Sequence, residues 1–431
     1  MMQIRLTLFS LLLTWSLSAQ TWTSLSTSGN IPARANASMI YHPTENALYV
    51  FGGRTQAGFQ HDLWKLDLAT NVWSEVATQG TAPVVRHTQN AVFDESQNQM
   101  LLFSGQGNGL YNDIWSFDFN TLTWTERSPN VNGPGLPQKR YGTVSVFDPT
   151  GQRLVTFGGF GSGGTARQDD TWAFDVNDNT WTELQTAVHP LKRCLHNGTY
   201  IPERELMVVY GGQSGGNRKD IWTFDLASNT WTERLPATEP PARHFCSVTA
   251  IDQDQLYVFG GNGAGQNNFS GALNDLWMFS LLDDTWTPIN PINAAPSERV
   301  GHCAVYLPTS SQLIVFGGNA ANGNYLNDLW VFEDLTTSLT PEPLVRSIDF
   351  DLRSANPLPD HLRFAIQWES AQLVQLSLVD GQGKMMHSFG EQNLGQGEHE
   401  FSTSLNALPA GIYFLQIQAD GQSRNLTRLV K

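Results

Sequence analysis

The strongest constraint on the fold of this chain is a repeated pattern of tryptophans. Twelve of the 14 tryptophans belong to two interleaved series with six members each. In one series an Asp lies two residues before each Trp: Trp64, Trp115, Trp172, Trp222, Trp277 and Trp330. In the other series Thr or Ser follows each Trp: Trp22, Trp73, Trp124, Trp181, Trp231 and Trp286. Because the second series advances by 50 to 57 residues per step, the chain is built from repeats of one supersecondary unit.

Each repeat predicts four short antiparallel strands. An Arg opens the unit, a short apolar run ends at Gly, a polar Gly-rich loop leads to Asp-x-Trp, and a tight turn precedes the second Trp. Four-stranded units repeated radially form a β-propeller with few exposed edges. The last repeat lacks its second Trp, whereas Trp22 precedes the first repeat. We therefore predict that the Trp22 strand completes a sixth blade and closes the ring.

Every repeat contains the same Arg and the same Asp. The arginines are Arg34, Arg86, Arg140, Arg193, Arg243 and Arg299. The aspartates are Asp62, Asp113, Asp170, Asp220, Asp275 and Asp328. A residue present in every blade serves a need that every blade shares, so we expect these residues to pair structurally. An anion-binding crown of arginines is the alternative.

These repeats resemble those of the kelch family from residue 22 to residue 334. The Gly-Gly pairs, the spaced tryptophans and the repeat length all match. The resemblance implies an all-β fold with a six-bladed propeller. It implies no single activity, because kelch propellers include scaffolds, sugar mutarotases and copper oxidases.

The two ends of the chain differ from the repeats. Residues 1–19 have the charge and apolar pattern of a signal peptide, which assigns 20–334 to the propeller. Residues 335–346 contain two prolines and are predicted to be a linker. Residues 347–431 alternate apolar and polar side chains, which predicts a small β-sandwich.

The C-terminal region resembles the sorting domain of the type IX secretion system of Bacteroidota. The matching segments are Asn356-Pro357, 379–384, 408–414 and the basic end at 428–431. The resemblance implies the type IX secretion machinery as a partner, and a secreted or outer-surface location.

Composition narrows the choice of partners. The formal net charge is −15, and the sequence contains no basic stripe, so nucleic acid is not an expected ligand. Apart from the signal peptide, no segment is apolar enough for a transmembrane helix. We expect a monomer without a cofactor.

Histidine and cysteine side chains raise the question of a metal site. His196, Cys246 and His302 each lie three residues after a repeat Arg, and they are ligand types for zinc or copper. We instead expect them to pack between blades, with no bound metal. Cys194, Cys246 and Cys303 are expected to be buried thiols. A Cys194–Cys246 disulfide is the alternative.

The loops between Gly-Gly and Asp-x-Trp break the repeat, and they carry aromatic and cationic residues suited to a ligand. The candidate ligand-binding residues are Phe59, Tyr111, Phe160, Arg167, Arg218, Phe269 and Tyr325. We predict a binding or adhesion module for an extracellular glycan or protein, without catalytic residues. The alternative is a sugar-processing enzyme such as a kelch-type mutarotase, which requires titratable residues that converge at the channel mouth.

Overall fold

A computed structural model describes residues 19–161, 167–263, 269–335, 349–353, 361–368, 372–380, 384–395, 397–406, 408–409, 412–419 and 422–430. The chain forms two compact units that divide between Thr337 and Ser338. This division falls within the predicted linker 335–346, which lies outside the described residues except for Leu335. The predicted signal peptide, 1–19, lies outside them except for Ala19.

The first unit begins with strand β1, Ala19–Leu25. The first blade contains β2 (Ser38–His42), β3 (Ala47–Phe51), the short ribbon β4 (Arg54–Thr55) and β5 (Gly58–Phe59), β6 (Leu63–Asp67) and β7 (Val72–Glu75). The second blade contains β8 (Asn90–Asp94), β9 (Gln99–Phe103), β10 (Ile114–Asp118) and β11 (Thr123–Ser128). The third contains β12 (Arg140–Tyr141), β13 (Val144–Asp148), β14 (Arg153–Phe157), β15 (Phe160–Gly161), β16 (Thr171–Asp175) and β17 (Thr180–Leu184).

The remaining blades follow the same order. The fourth contains β18 (Asn197–Ile201), a 3-10 turn (Pro202–Arg204), β19 (Leu206–Tyr210), β20 (Ile221–Asp225) and β21 (Thr230–Arg234). The fifth contains β22 (Ser247–Ala250), β23 (Gln255–Asn262), a 3-10 turn (Phe269–Gly271), β24 (Ala272–Ser280) and β25 (Thr285–Ile289). The sixth contains β26 (Arg299–Val300), β27 (Cys303–Leu307), β28 (Gln312–Ala320) and β29 (Tyr325–Leu335).

Strand β1 closes the ring. It pairs antiparallel with β29 along its full length, and Trp22 lies opposite Phe332. The sixth blade therefore contains β27, β28, β29 and β1, in that order from the channel outwards. This pairing confirms the closure predicted from the unmatched tryptophan, and it covers the edge that β29 would otherwise expose.

The six blades form a complete circle around a channel. The innermost strand of each blade contacts its counterpart in both neighbouring blades, in the cyclic order β2, β8, β13, β18, β22, β27 and back to β2. Each Trp of the second series packs on the aromatic residue that precedes the Gly of the blade before it. Trp73 lies 5.1 Å from Phe316, and Trp231 lies 4.8 Å from Phe157, measured between ring centroids. Aromatic stacking between blades thus repeats around the ring.

Two surfaces at the ends of the channel are named here. The loop face carries the repeat arginines and the loops that follow Gly-Gly. The hairpin face carries the turns after the innermost strands, such as 201–205. Because each innermost strand runs from the loop face to the hairpin face, residues at equal distance from the repeat Arg lie at equal depth in the channel.

The second unit is built from strands alone in its described residues. They are β30 (Asp349–Leu352), β31 (His361–Trp368), β32 (Gln372–Asp380), β33 (Met385–Leu394), β34 (Gly397–Ser404), β35 (Ile412–Ala419) and β36 (Gln422–Val430). Sheets β30-β31-β34 and β33-β32-β35-β36 contribute side chains to one apolar core that includes Phe364, Leu376 and Leu415. Two sheets around one core form the predicted β-sandwich.

Candidate functional site

The repeat arginines lie at the loop face but beneath its surface. Each guanidinium group binds both carboxylate oxygens of the repeat Asp in its own blade, over N–O distances of 2.5 to 3.0 Å. Nη1 also donates to a backbone carbonyl in the turn before the loop, as Arg34 does to Gly52 at 2.9 Å. Because all six side chains are almost fully buried, they hold the blade together and present no surface to an anion.

The repeat aspartates complete this arrangement. Each accepts a third hydrogen bond, from the indole nitrogen of the Trp two residues later, for example at 2.7 Å from Trp64 to Asp62. Burial raises the pKa of Asp62, but hydrogen bonding to Arg34 and the Arg34 charge outweigh burial and lower it overall. The Asp-x-Trp signature therefore supports the blade.

A ring of backbone hydrogen bonds encircles the channel at the loop face. Its members, here named the collar, lie two residues after each repeat Arg: Asn36, Thr88, Gly142, Leu195, Phe245 and Gly301. Each amide donates to the carbonyl of the preceding member over 2.7 to 3.1 Å, and the amide of Asn36 completes the circle by donating to Gly301. All six residues have φ between 54° and 65°. Left-handed backbone turns each amide toward its neighbour, which explains why the strain is retained.

Two positions at the loop face differ among blades, and in blades four to six both side chains are buried. One directly follows the repeat Arg and the other directly follows the Gly at the turn, and the two form an antiparallel bridge. The six pairs are Ala35/Arg54, His87/Gln106, Tyr141/Phe160, Cys194/Gln213, His244/Asn262 and Val300/Asn319. The same backbone geometry thus presents a different pair of side chains in each blade.

Blades one and two share an aromatic and cationic cluster. Phe59 stacks on His87 with a centroid distance of 4.8 Å and an interplanar angle of 8°. The Arg54 guanidinium lies 5.4 Å from the Phe59 centroid, across the β4–β5 ribbon. Burial, and then the Arg54 charge, lower the pKa of His87 to about 4. The imidazole is therefore neutral at pH 7, and the positive charge of the cluster resides on Arg54.

The third blade builds a similar cluster in the reverse order along the chain. Here the aromatic Phe160 follows the Gly, and Arg167 returns as its bridge partner. The Arg167 guanidinium lies 6.0 Å from the Phe160 centroid, and the Tyr141 ring lies 5.4 Å from it. Neither Arg54 nor Arg167 forms an ion pair with a carboxylate of the described residues. We name Arg54, Phe59, His87, Tyr141, Phe160 and Arg167 the aromatic–cation patch.

The other four predicted residues lie apart from this patch or beneath the surface. Tyr111 is only 7% exposed and its ring lies 4.4 Å from the Arg86 guanidinium, so it packs on the blade support. Arg218 lies 3.5 Å from Asp220, so its charge is partly compensated. Phe269 is 38% exposed in the fifth blade. Tyr325 pairs with Asn319 in the sixth. The loop residues 162–166 and 264–268 lie outside the described residues.

Histidines and cysteines near the collar face neighbouring blades. His196 bonds the Phe157 carbonyl at 3.2 Å, and His302 bonds the Ser247 hydroxyl at 3.0 Å. Burial, and then the charge of the adjacent repeat Arg, lower the pKa of each histidine to about 3. No group of three potential metal ligands occurs within the described part of the chain. All three cysteines are buried free thiols, so the alternative disulfide does not form.

Two cavities lie along the central channel. A small one of about 80 Å³ lies against the collar. A larger one of about 600 Å³ extends along the innermost strands to the hairpin face. The collar contains no titratable side chain, so the convergence of acid and base groups that a mutarotase requires is absent from those six positions.

Comparison with known families assigns the repeats. The model of the KLHDC2/KLHL20/DRC7 Kelch-repeats domain matches residues 5–134, 45–261 and 253–348. The chain belongs to the kelch-repeat family. Its kelch propeller is similar to several curated proteins over less than half of the chain. These include Host cell factor homolog hcf-1 of Caenorhabditis elegans, which is 26% identical over 44% of this chain and 26% of its own.

Two further relatives have comparable similarity to the kelch propeller. The human Leucine-zipper-like transcriptional regulator 1 is 29% identical over 42% of this chain and 21% of its own. The bovine Rab9 effector protein with kelch motifs is 27% identical over 46% of this chain and 54% of its own. The match therefore spans between about a fifth and about half of each relative, and it carries the fold rather than an activity.

The C-terminal unit has a separate match. The model of the Secretion system C-terminal sorting domain covers residues 355–431. The kelch protein is therefore directed outside the cell or to its outer surface by type IX secretion. Within the described residues, no helix is long and apolar enough to cross a membrane.

Arg54, His87 and Tyr141 belong to the aromatic–cation patch but were not among the predicted residues. Arg54 directly follows the Gly-Gly pair of the first repeat. His87 and Tyr141 directly follow a repeat Arg, in a part of the unit that otherwise resembles the start of a strand. A position-by-position comparison of the six repeats would have identified His87 and Tyr141 as residues that differ between blades. The Arg itself is identical in every blade, whereas the residue after it is different in nearly every one.

Proposed function

We propose that this secreted kelch propeller is a non-catalytic binding module whose loop face holds a glycan at the aromatic–cation patch. The observation that carries the proposal is the paired assembly of an aromatic ring and an uncompensated Arg in two blades. The same two side-chain types meet in both blades. In the first blade Arg54 precedes Phe59 in the sequence, whereas in the third Phe160 precedes Arg167. The shared repeat does not require these residues, because the other four blades lack the combination in the part of each that the structure describes.

The chemistry of the patch suits a sugar. Half-buried rings on a rigid scaffold offer apolar faces on which a pyranose ring can stack with little loss of conformational entropy. Gln106 bridges to His87, and Gln168 directly follows Arg167, so two amide side chains near the patch can donate and accept hydrogen bonds. Loops positioned by a rigid fold are common sites of recognition.

Charge favours a neutral or acidic sugar over a basic one. The chain has a formal net charge of −15, yet Arg54 and Arg167 have no carboxylate partner among the described residues. A carboxylate or sulfate on the ligand would provide the missing counter-charge and form a charge-assisted hydrogen bond. The patch is therefore a locally cationic surface on an acidic protein.

A glycan array with the full chain tests this proposal. We expect Phe59→Ala combined with Phe160→Ala to weaken binding at least about tenfold, because two stacking surfaces are lost. Arg54→Gln combined with Arg167→Gln should weaken acidic glycans more than neutral ones. Leu282→Ala on the hairpin face is the matched control, since it removes an exposed apolar side chain far from the patch.

Two results would contradict the proposal. Undiminished binding by the Phe59→Ala, Phe160→Ala variant would place the site elsewhere. If no glycan binds while a protein ligand is captured by the loop face, the module recognises protein instead. Equal weakening by the Leu282→Ala control would indicate that the substitutions act through stability.

Display of the module outside the cell is the second part of the proposal. The sorting domain supports a route in which a signal peptide at 1–19 directs the first membrane crossing and the C-terminal unit directs the second. Removal of residues 347–431 should leave a folded propeller in the periplasm of the native host. Fractionation with an antibody against the propeller measures this, and normal surface appearance of the truncated chain would overturn it.

A further inference from the structure

The β4–β5 ribbon of the first blade carries two residues of the aromatic–cation patch, Arg54 and Phe59. These residues are cross-strand partners, and so are Thr55 and Gly58. Because side chains alternate along a strand, Arg54 and Phe59 share one face of the ribbon and Thr55 lies on the other. The two faces differ in environment, since Arg54 is exposed whereas Thr55 is only 5% exposed. A buried hydroxyl in a surface ribbon requires polar partners.

The side chain of Gln60 supplies these partners. Its amide nitrogen donates to the Thr55 hydroxyl and to the Gly58 carbonyl, in each case over 3.0 Å. The Thr55 hydroxyl also accepts from the Ala57 amide at 3.1 Å and donates to the Gly58 carbonyl at 3.3 Å. The turn of the ribbon is therefore held by side-chain hydrogen bonds in addition to backbone pairing.

The backbone of Gln60 is anchored to two blades. Its amide donates to the Gly53 carbonyl at 2.9 Å, and its carbonyl accepts from the amide of Arg86, the next repeat Arg, at 2.9 Å. The side chain at this position, two residues before the repeat Asp, differs between blades: Gln60, Tyr111, Gln168, Arg218, Leu273 and Leu326. In the first blade this variable side chain connects the ribbon to the anchored backbone.

The neighbouring blade holds the Phe59 ring from a second direction. His87 stacks on it with a centroid distance of 4.8 Å and an interplanar angle of 8°. The ribbon and the imidazole together fix the ring before any ligand arrives. Contact residues that are fixed in advance lose little conformational entropy on binding, which raises the affinity of a site.

We infer that Thr55 and Gln60 are positioning residues of the aromatic–cation patch. They hold the ribbon so that the Phe59 ring lies flat on His87, with Arg54 beside it. They act through these residues and not through contact with the ligand. The inference rests on the proposed function, because it concerns the same site.

NMR of the full chain with labelled histidine tests the structural step without a ligand. The ring current of Phe59 shifts the proton resonances of the stacked His87 imidazole, and Phe59→Ala gives their positions without that ring. We expect Gln60→Met and Thr55→Val to remove most of the shift, because each deletes hydrogen bonds that hold the ribbon. Thr55→Ser keeps the hydroxyl and should restore the shift. Gln56→Met is the matched control, since Gln56 is an exposed side chain of the same ribbon.

Calorimetric titration with a heparin-derived tetrasaccharide, an acidic glycan probe, tests the binding step. We expect Gln60→Met and Thr55→Val to weaken its binding about fivefold, because the patch is then no longer fixed in advance. Thr55→Ser and Gln56→Met should bind as the wild type does. Unchanged His87 resonances in Gln60→Met and Thr55→Val would overturn the inference. Loss of the shift with unchanged affinity would also overturn it, because binding then does not depend on the position of Phe59.

The result is separable from that of the glycan proposal. If the wild type binds neither this probe nor any glycan of the array, the glycan proposal fails, and the His87 resonances still decide whether Thr55 and Gln60 fix the ring. The melting temperature should be the same in all variants, since the ribbon lies at the loop face. If Gln60→Met melts at a lower temperature, Thr55→Val and Thr55→Ser decide the matter.

Discussion

Two consecutive positions in each repeat follow opposite rules. The first is always Arg, is almost fully buried, and makes the same bidentate contact with Asp in all six blades. The second is Ala35, His87, Tyr141, Cys194, His244 or Val300, and it bridges to a loop residue that also varies. The comparison teaches that one peptide bond separates the residue that supports every blade from a position whose side chain differs between blades.

The collar lies one residue further along and combines both rules. Its backbone is uniform, with positive φ and one inter-blade hydrogen bond in every member. Its side chains are not uniform, since Asn, Thr, Leu, Phe and two glycines occupy it. The uniform backbone allows the ring of hydrogen bonds to close. The variable side chains allow the channel mouth to differ from blade to blade.

Substitution of the repeat Arg should give the largest change in stability. We expect Arg86→Met to lower the free energy of unfolding by about 3–5 kcal/mol, because it leaves the Asp113 carboxylate without its partner in a buried site. Asp113 is the most buried of the six repeat aspartates, with a side chain only 4% exposed. Urea unfolding followed by tryptophan fluorescence measures the change.

The matching substitution in the sixth blade tests the role of burial. In Arg299→Met the remaining carboxylate, Asp328, has a side chain that is 35% exposed and can be hydrated. Its loss of stability should therefore be smaller than that of Arg86→Met. Equal losses would mean that packing of the Arg stem, rather than the stranded charge, decides the effect.

The next largest effect is expected from acid, which should lower the free energy of unfolding of the propeller. His196 and His302 have pKa values lowered to about 3 by burial, whereas an unfolded histidine titrates near 6.5. The unfolded chain then binds more protons, so stability is full above about pH 6.5 and is lost as the pH falls toward 3. At pH 5 the loss is about 2 kcal/mol for each buried histidine.

Urea unfolding at pH 7.5 and pH 5.0 measures this loss. His302→Gln should reduce the difference between the two pH values, because one proton-binding group is removed from the unfolded chain. His189→Gln, on an exposed linker, is the control and should leave the difference unchanged. A stability that does not depend on pH between 7.5 and 5.0 would contradict the buried, neutral state of these histidines.

The supporting layer could be predicted because it repeats. Six copies of Arg and of Asp-x-Trp are visible in one sequence, and the unmatched Trp22 indicated how the ring closes. The aromatic–cation patch could not be predicted as well, because each of its members occurs once. Loop composition gave Phe59 and Phe160 as candidate ligand-binding residues, which stays a prediction, and the same reasoning gave Tyr111, which is buried.

Tyr111 shows why loop composition does not give the exposure of a side chain. Loop composition gives the presence of an aromatic residue but not the direction in which it turns, and Tyr111 turns inward onto Arg86. The collar escaped prediction for a different reason. Its hydrogen bonds join residues of different blades in a closed circle, and no pattern within one repeat specifies a contact that requires all six.

The variable position should affect stability little. We expect Phe160→Ala to lower the free energy of unfolding by about 1 kcal/mol or less, because the ring is half-buried and packs on surface side chains. Phe157→Ala, three residues earlier, should lower it by about 3–5 kcal/mol, because Phe157 is fully buried against Trp231. Thermal and urea unfolding of the two variants measure both losses. Similar losses of stability would mean that Phe160 supports the blade as much as Phe157 does.

The smallest effect is expected at the collar, and its sign is favourable. Thr88 has φ of 56°, a conformation that costs a β-branched residue about 1–2 kcal/mol and that Asn adopts more readily. Asn36 already occupies the equivalent position in the first blade. We therefore expect Thr88→Asn to raise the free energy of unfolding by about 0.5 kcal/mol, after allowance for the lost contact between the Thr88 hydroxyl and His87 at 2.9 Å.

Gly142→Ala is the variant expected to destabilise the collar, because its new Cβ would lie 2.6 Å from Cδ2 of Leu195. If Thr88→Asn destabilises the propeller instead, the bond from the hydroxyl to His87 outweighs the backbone strain, and the collar then takes part in positioning the aromatic–cation patch above it.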